Sequence, residues 1–214
     1  MTRVLLTGFE PFGGEETNPS WEAVSLVAAA PPPGLDLTPV RLSCVFGTAL
    51  EELAAAVEAA DPALVLCVGQ AGGRSQVTVE RVAVNVDDAR IPDNAGQRPI
   101  DEPVVPGGPT AYLAPLPVKA CVAAVRAAGI PAAVSQTAGT FVCNHVFYGL
   151  AHLIATRRPT TRGGFVHLPC APEQVVDRDQ PSLPVATAAE ALRAILTAAV
   201  HTGTDLRIAE GATH

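Results

Sequence analysis

An α/β fold, with helices lying on the faces of a sheet, is what this sequence predicts, and two observations carry the prediction. Short apolar runs alternate along the chain with longer Ala-rich stretches that have helical spacing. The chain has 214 residues and is 48% hydrophobic, which suits one domain that buries its own core without disulfides or a structural metal.

Strands are expected at 3–7, 38–43, 64–68, 77–86, 132–135 and 164–168, each a mainly apolar run closed by turn residues. The first helix should be capped by Asn18 with Pro19 at its first position. Capping boxes are expected at Thr48 with Glu51 and at Thr187 with Glu190. A helix over 117–128 should stop at Gly129, and residues 144–156 carry apolar side chains at helical spacing. The stretch 87–116 is rich in Pro, Gly and Asp and shows no period, so it reads as a long loop of the kind that is usually functional. Residues 205–214 have no pattern and read as a loosely ordered tail.

Composition excludes several classes of function. A formal charge of −7 argues against nucleic acid, whose binding rests on Lys and Arg neutralising phosphates. Lys119 is the only lysine and opens a helix, which leaves little scope for Schiff-base, Walker-type or Ser-Lys chemistry. Every apolar run is interrupted before the ~18 residues that a membrane span needs, and the N-terminal apolar stretch is too short for a secretory signal. A cytoplasmic protein is expected. Five cysteines, an odd number without close pairs, imply no disulfide framework.

Chemistry is suggested first by T-A-G-T-F-V-C-N-H, Thr137 to His145. Cys143 falls where a strand gives way to a helix, and unpaired amides and the positive end of the helix dipole there favour a thiolate and can hold an oxyanion. An inert, packed cysteine is the alternative. Glu80 shares an apolar strand face with Val82 and Val84, which is costly unless the carboxylate is paired. It either forms a salt bridge to a nearby Arg or orients a histidine. His167, at the end of a buried strand before Leu168-Pro169, is the histidine best placed for that role, although a strand-end His can also be purely structural. His145 lies two residues from Cys143, a spacing that points the two side chains apart. A zinc site from Cys143-x-His145 and His167-x-x-Cys170 has suitable ligand types but poor spacing. Phe9, Phe12 and Phe141 lie in strand-end loops and suggest a flat apolar pocket, with aromatic plugs as the structural alternative.

Six blocks carry a resemblance. G-F-E-P-F-G-G at Gly8 to Gly14 with Asn18-Pro19-Ser20-Trp21, V-G-Q-A-G-G-R at Val68 to Arg74, E-R-V-A-V-N at Glu80 to Asn85, D-A-R-I-P-D-N at Asp88 to Asn94, S-Q-T-A-G-T-F-V-C-N-H around Cys143, and G-F-V-H-L-P at Gly164 to Pro169 closely resemble the pyroglutamyl-peptidase I family. The resemblance implies a three-layer α/β/α sandwich around a mixed, mostly parallel sheet. It also implies a cysteine peptidase that removes an N-terminal pyroglutamyl residue from peptides, with Cys143 as nucleophile, His167 as acid and base and Glu80 as the third member. Phe9 and Phe141 would enclose the lactam ring and Phe12 would close the pocket. Gln70 would offer backbone hydrogen bonds, and Arg90 would act electrostatically. No metal or cofactor is implied, and the family assembles as cytosolic homotetramers. Cys170 departs from the family's pattern, where an aromatic is expected. The competing reading is a catalytically silent protein that binds pyroglutamyl or related small cyclic ligands.

Overall fold

Six strands form one sheet in a computed structural model that describes residues 1–212, in the order β2-β1-β3-β8-β4-β7. The strands are β1 (Thr2–Phe9), β2 (Leu35–Leu42), β3 (Leu64–Gln70), β4 (Val77–Glu80), β7 (Ala132–Ser135) and β8 (Arg162–Leu168). Neighbours run parallel except at β4 and β8, which pair antiparallel, with Thr78 opposite His167. Alternation along the strands sorts their side chains into two cores. One core takes Val4, Leu6, Leu66, Val68 and Val166 against α1 (Pro19–Ala29), α3 (Val118–Ala127) and α5 (Val185–His201). The other takes Leu5, Val65, Cys67 and Phe165 against α2 (Thr48–Ala60) and α4 (Val142–Arg157). The expected three layers are therefore present, around a mixed, mostly parallel sheet.

Several elements differ from expectation. The run 77–86 is two strands. Arg81 donates its N–H to Ser135 O, completing the large sheet, and accepts at its own carbonyl from Ala114 N–H, which opens a second sheet. That sheet pairs β5 (Val82–Val84) with β6 (Ala111–Leu113), so the tail end of the long loop is a strand. Glu80 thus ends its strand and does not share a sheet face with Val82 and Val84. The second strand starts earlier than 38 and runs through Pro39, tolerated because β2 lies at the sheet edge.

Neither expected capping box forms. The second helix is entered from Gly47 at φ 74°, whose carbonyl accepts from Leu50 and Glu51, and the last helix is entered from Pro184. Asn18, by contrast, caps α1 as expected, its Oδ1 accepting from Ser20 N–H. Gly129, at φ 77°, follows the end of α3 as expected.

After α5 the described residues 202–212 carry no helix or strand, but they are tied to α3. The Asp205 carboxylate accepts from the amides of Lys119 and Ala120 in the first turn of that helix, and Glu210 pairs with Arg126 at 2.6 Å. Residues 213 and 214, the end of the expected loose tail, lie outside the described residues. Among the described residues no helix is long and apolar enough to cross a membrane.

Candidate active site

A cavity of about 330 Å³ opens where the loops after β1, β3 and β7 meet the end of β8. Its wall includes Phe9, Phe12, Gln70, Phe141, Cys143 and His167, so six of the residues singled out in the sequence come together. Phe12 and Phe141 lean toward each other with ring centroids 6.3 Å apart. Two expectations differ. Arg90 is exposed and does not line this cavity, whereas Arg74, Asn18 and Cys44 do. Glu80 stands behind the wall, fully buried.

The strand register explains why Glu80 and His167 meet. Thr78 sits opposite His167 across the antiparallel β4–β8 pair, and Glu80, two residues on, projects from the same face. His167 Nδ1–H donates to Glu80 Oε1 at 2.8 Å, which fixes the tautomer and leaves the Nε2 lone pair free of any partner among the described residues. Arg74 also donates to that oxygen, at 2.6 Å. The two alternatives open for Glu80, a salt bridge and a histidine to orient, are therefore both realised at one carboxylate. Burial pushes the His167 pKa below its ordinary value, outweighing the opposing pull of Glu80.

Cys143 is the second residue of α4, after Phe141 at the cap position. The first bond of that helix runs from His145 N–H to Phe141 O, so the amides of Val142, Cys143 and Asn144 have no acceptor among the described residues. The loop before the helix is clipped to the start of the long loop by Asp88 N–H to Thr140 O and Thr140 Oγ1–H to Asp88 O. Below the thiol lies Gly69, where a Cβ would sit only 2.8 Å from Cys143 Sγ and 2.9 Å from the Phe165 ring. The placement of Cys143 thus depends on a missing side chain.

Opposing influences act on the Cys143 thiol. Burial raises its pKa, with Cys44 and Glu80 adding to the rise and Arg74 opposing it. No hydrogen bond joins Cys143 Sγ to His167 among the described residues, although both face the same cavity. Burial thus opposes the helix terminus at this thiol, and it also lowers the affinity of the imidazole for a proton.

Three residues that support the site were not recognised in the sequence. Asn144 is fully buried and binds the edge of β5, accepting from Val84 N–H and donating to the carbonyls of Val84 and Val86. Gln174, in a short 3₁₀ turn (Pro172–Val175), exchanges two hydrogen bonds with the side-chain amide of Gln70. Arg74 was visible only as part of V-G-Q-A-G-G-R; the signal that could have found it is the requirement of a buried Glu80 for a cation.

His145 points away from the cavity. Its Nε2 accepts from Gly47 N–H at 3.0 Å, so Nδ1–H donates to Asp87 at 2.7 Å. With both ring nitrogens taken, the Cys143-x-His145 zinc pair does not form, and no group of three or more His, Cys, Asp or Glu among the described residues is arranged to hold a metal ion. Cys170 is buried, its sulfur accepting from Gln70 Nε2 at 3.3 Å.

Comparison with known proteins places the whole chain in one family. The chain matches the family model described as pyroglutamyl peptidase over residues 2–202. It is 68% identical to the pyrrolidone-carboxylate peptidase of Streptomyces coelicolor and 55% identical to that of Erwinia tasmaniensis, covering all of each chain. Among solved structures, pyroglutamyl peptidase I of Bacillus amyloliquefaciens superposes with a TM-score of 0.94 at 47% identity, over 96% of this chain and 100% of that one. A pyrrolidone carboxyl peptidase variant from Pyrococcus furiosus gives 0.90 at 39% identity, over 93% and 98%. The chain belongs to the pyroglutamyl peptidase family of cysteine peptidases.

Proposed function

We propose that this enzyme hydrolyses the bond after an N-terminal pyroglutamyl residue of peptides through a thioester on Cys143. The observation that carries the reading is an oriented imidazole, His167 on Glu80, facing the same cavity as a cysteine in the first turn of a helix. Burial raises the thiol pKa and lowers that of the imidazole, which favours a proton that moves during attack. Nε2 of His167 takes it from Cys143 Sγ as the sulfur bonds to the pyroglutamyl carbonyl carbon. Glu80 stabilises the imidazolium that forms and holds the ring in place.

Charge on the former carbonyl oxygen is met by the unpartnered amides at the start of α4. His167 returns the proton to the departing amine as the C–N bond breaks. Water then attacks the thioester, His167 accepting its proton, and the thiol leaves reprotonated. The pyroglutamyl ring is a flat, uncharged lactam, and the half-buried faces of Phe12 and Phe141 suit it better than a charged N-terminal amine. By resemblance we infer that the Gln70 backbone offers hydrogen bonds to the lactam. Arg90 has no part in this scheme. By family resemblance we also infer a cytoplasmic homotetramer, for which sedimentation of the purified protein is the check.

Release of a chromophore from a pyroglutamyl amide tests the reading. Cys143→Ala is expected to abolish turnover while leaving the melting temperature within a few degrees of the parent. Undiminished turnover in that variant would sink the mechanism, and tight binding without turnover in the parent would favour the silent binder.

A further inference from the structure

Arg74 is not among the residues expected to act in this site, yet it touches the two segments on which the proposed reaction depends. It sits in the β3–β4 loop after Gly73, whose φ of 83° turns the chain back toward β4. From there its guanidinium spreads over three acceptors. Nη1 donates to Glu80 Oε1 at 2.6 Å and to Thr78 Oγ1, and Nη2 donates to Thr137 O at 3.0 Å. Thr78 and Glu80 lie on the strand that orients His167, while Thr137 begins the loop that leads to Cys143. Glu80 Oε1 carries both the imidazole and the guanidinium, while Oε2 has no partner among the described residues. The carboxylate's angle is therefore set by two donors on one oxygen.

We propose that Arg74 is a positioning residue for the hydrolysis: it holds Glu80 behind His167 and fastens that pair to the loop that delivers Cys143. The proposal rests on the roles given above to Cys143 and His167. A planar fork with several donors suits the task, because a lysine's single ammonium cannot reach Glu80 and Thr137 with the same geometry. The side chain is 24% exposed at the cavity wall, so it also puts a fixed cation beside the reacting groups. The titratable and charged groups around His167 are Glu80 on β4, Arg74 on the β3–β4 loop and the Cys143 thiol at the head of α4. In that setting the guanidinium disfavours the imidazolium and favours the thiolate.

Steady-state kinetics of Arg74→Met and Arg74→Lys across pH test this, alongside Cys143→Ala and thermal melts. In Arg74→Met, kcat is expected to fall about 10- to 100-fold while KM stays within about threefold, and the acid limb of kcat/KM should move to higher pH as the cation beside His167 is lost. Arg74→Lys should keep the limb near its parental position and recover only part of kcat. A rise in KM at unchanged kcat would make Arg74 a substrate contact and overturn the proposal. So would a loss explained wholly by the unfolded fraction. If Cys143→Ala were also fully active, the reading of the site would fall first; with Cys143→Ala inactive and Arg74→Met unimpaired, only the role of Arg74 falls.

Discussion

Two buried carboxylate–imidazole pairs lie on the α4 side of the sheet, and they are built from similar parts for different ends. Glu80 holds His167 at 2.8 Å and Asp87 holds His145 at 2.7 Å, each through Nδ1. The difference is at the other ring nitrogen. His145 Nε2 is consumed by the amide of Gly47, and its ring packs edge-on against Phe46, which in turn meets Phe141 edge-on. His167 Nε2 has no partner among the described residues and faces the cavity. A carboxylate behind a histidine is therefore not in itself a catalytic signature; the unclaimed lone pair is. His145 is a strut that braces one wall of the pocket through Phe46.

The largest expected effect that separates the pairs is His167→Ala, which should lower kcat/KM about 10²- to 10⁴-fold with little change in melting temperature. Gly69→Ala comes next. Its new Cβ would overlap Cys143 Sγ, and displacing the nucleophile should cost about 100-fold in kcat. His145→Leu should invert the pattern. It strands Asp87, whose Oδ1 already lacks a partner, and should cost about 3 kcal/mol of stability in urea melts while kcat per folded molecule stays within about threefold. A large kcat loss without destabilisation would erase the distinction between strut and base.

The smallest effect is in pH. Because burial depresses the His167 pKa, the neutral imidazole that the proposed mechanism needs as base persists below the ordinary histidine value of about 6.5. The acid limb of kcat/KM should fall below that value. The raised thiol pKa runs the other way: alkylation of resting Cys143 should keep rising with pH beyond the ordinary thiol value of about 8.5. A reactivity plateau near pH 7 would mean a preformed thiolate.

Much of this was legible in the sequence where the signal was local. The Asn18-Pro19 start, Gly129 and the strand runs follow from rules about single residues and short periods. Phe9, Phe12 and Phe141 could be placed at strand ends, and the loops leaving those ends do converge. What could not be read was the partner of each strand. The periodicity of 77–86 is continuous, so nothing local reveals that Arg81 divides its N–H and C=O between two sheets. Arg74 and Arg90 are alike as residue types; only the fold places one behind Glu80 and leaves the other on the surface. The surroundings of the thiol were legible only in part, since helix position can be read from sequence and the groups packed around the sulfur cannot. Thr48 and Thr187 met the capping pattern, yet Gly47 and Pro184 took the cap positions instead.

The place of β8 in the sheet bears on how the enzyme comes into being. It is the last strand to leave the ribosome, yet it inserts at the centre, and without it β2-β1-β3 and β4-β7 share no ladder. Pairings across such separations form late because loop closure must precede them. Glu80 and His167, 87 positions apart in the chain, are joined only by that last insertion. A chain whose sheet has not yet taken up β8 thus carries Cys143 without the oriented His167, and the proposed site is assembled only as the sheet closes.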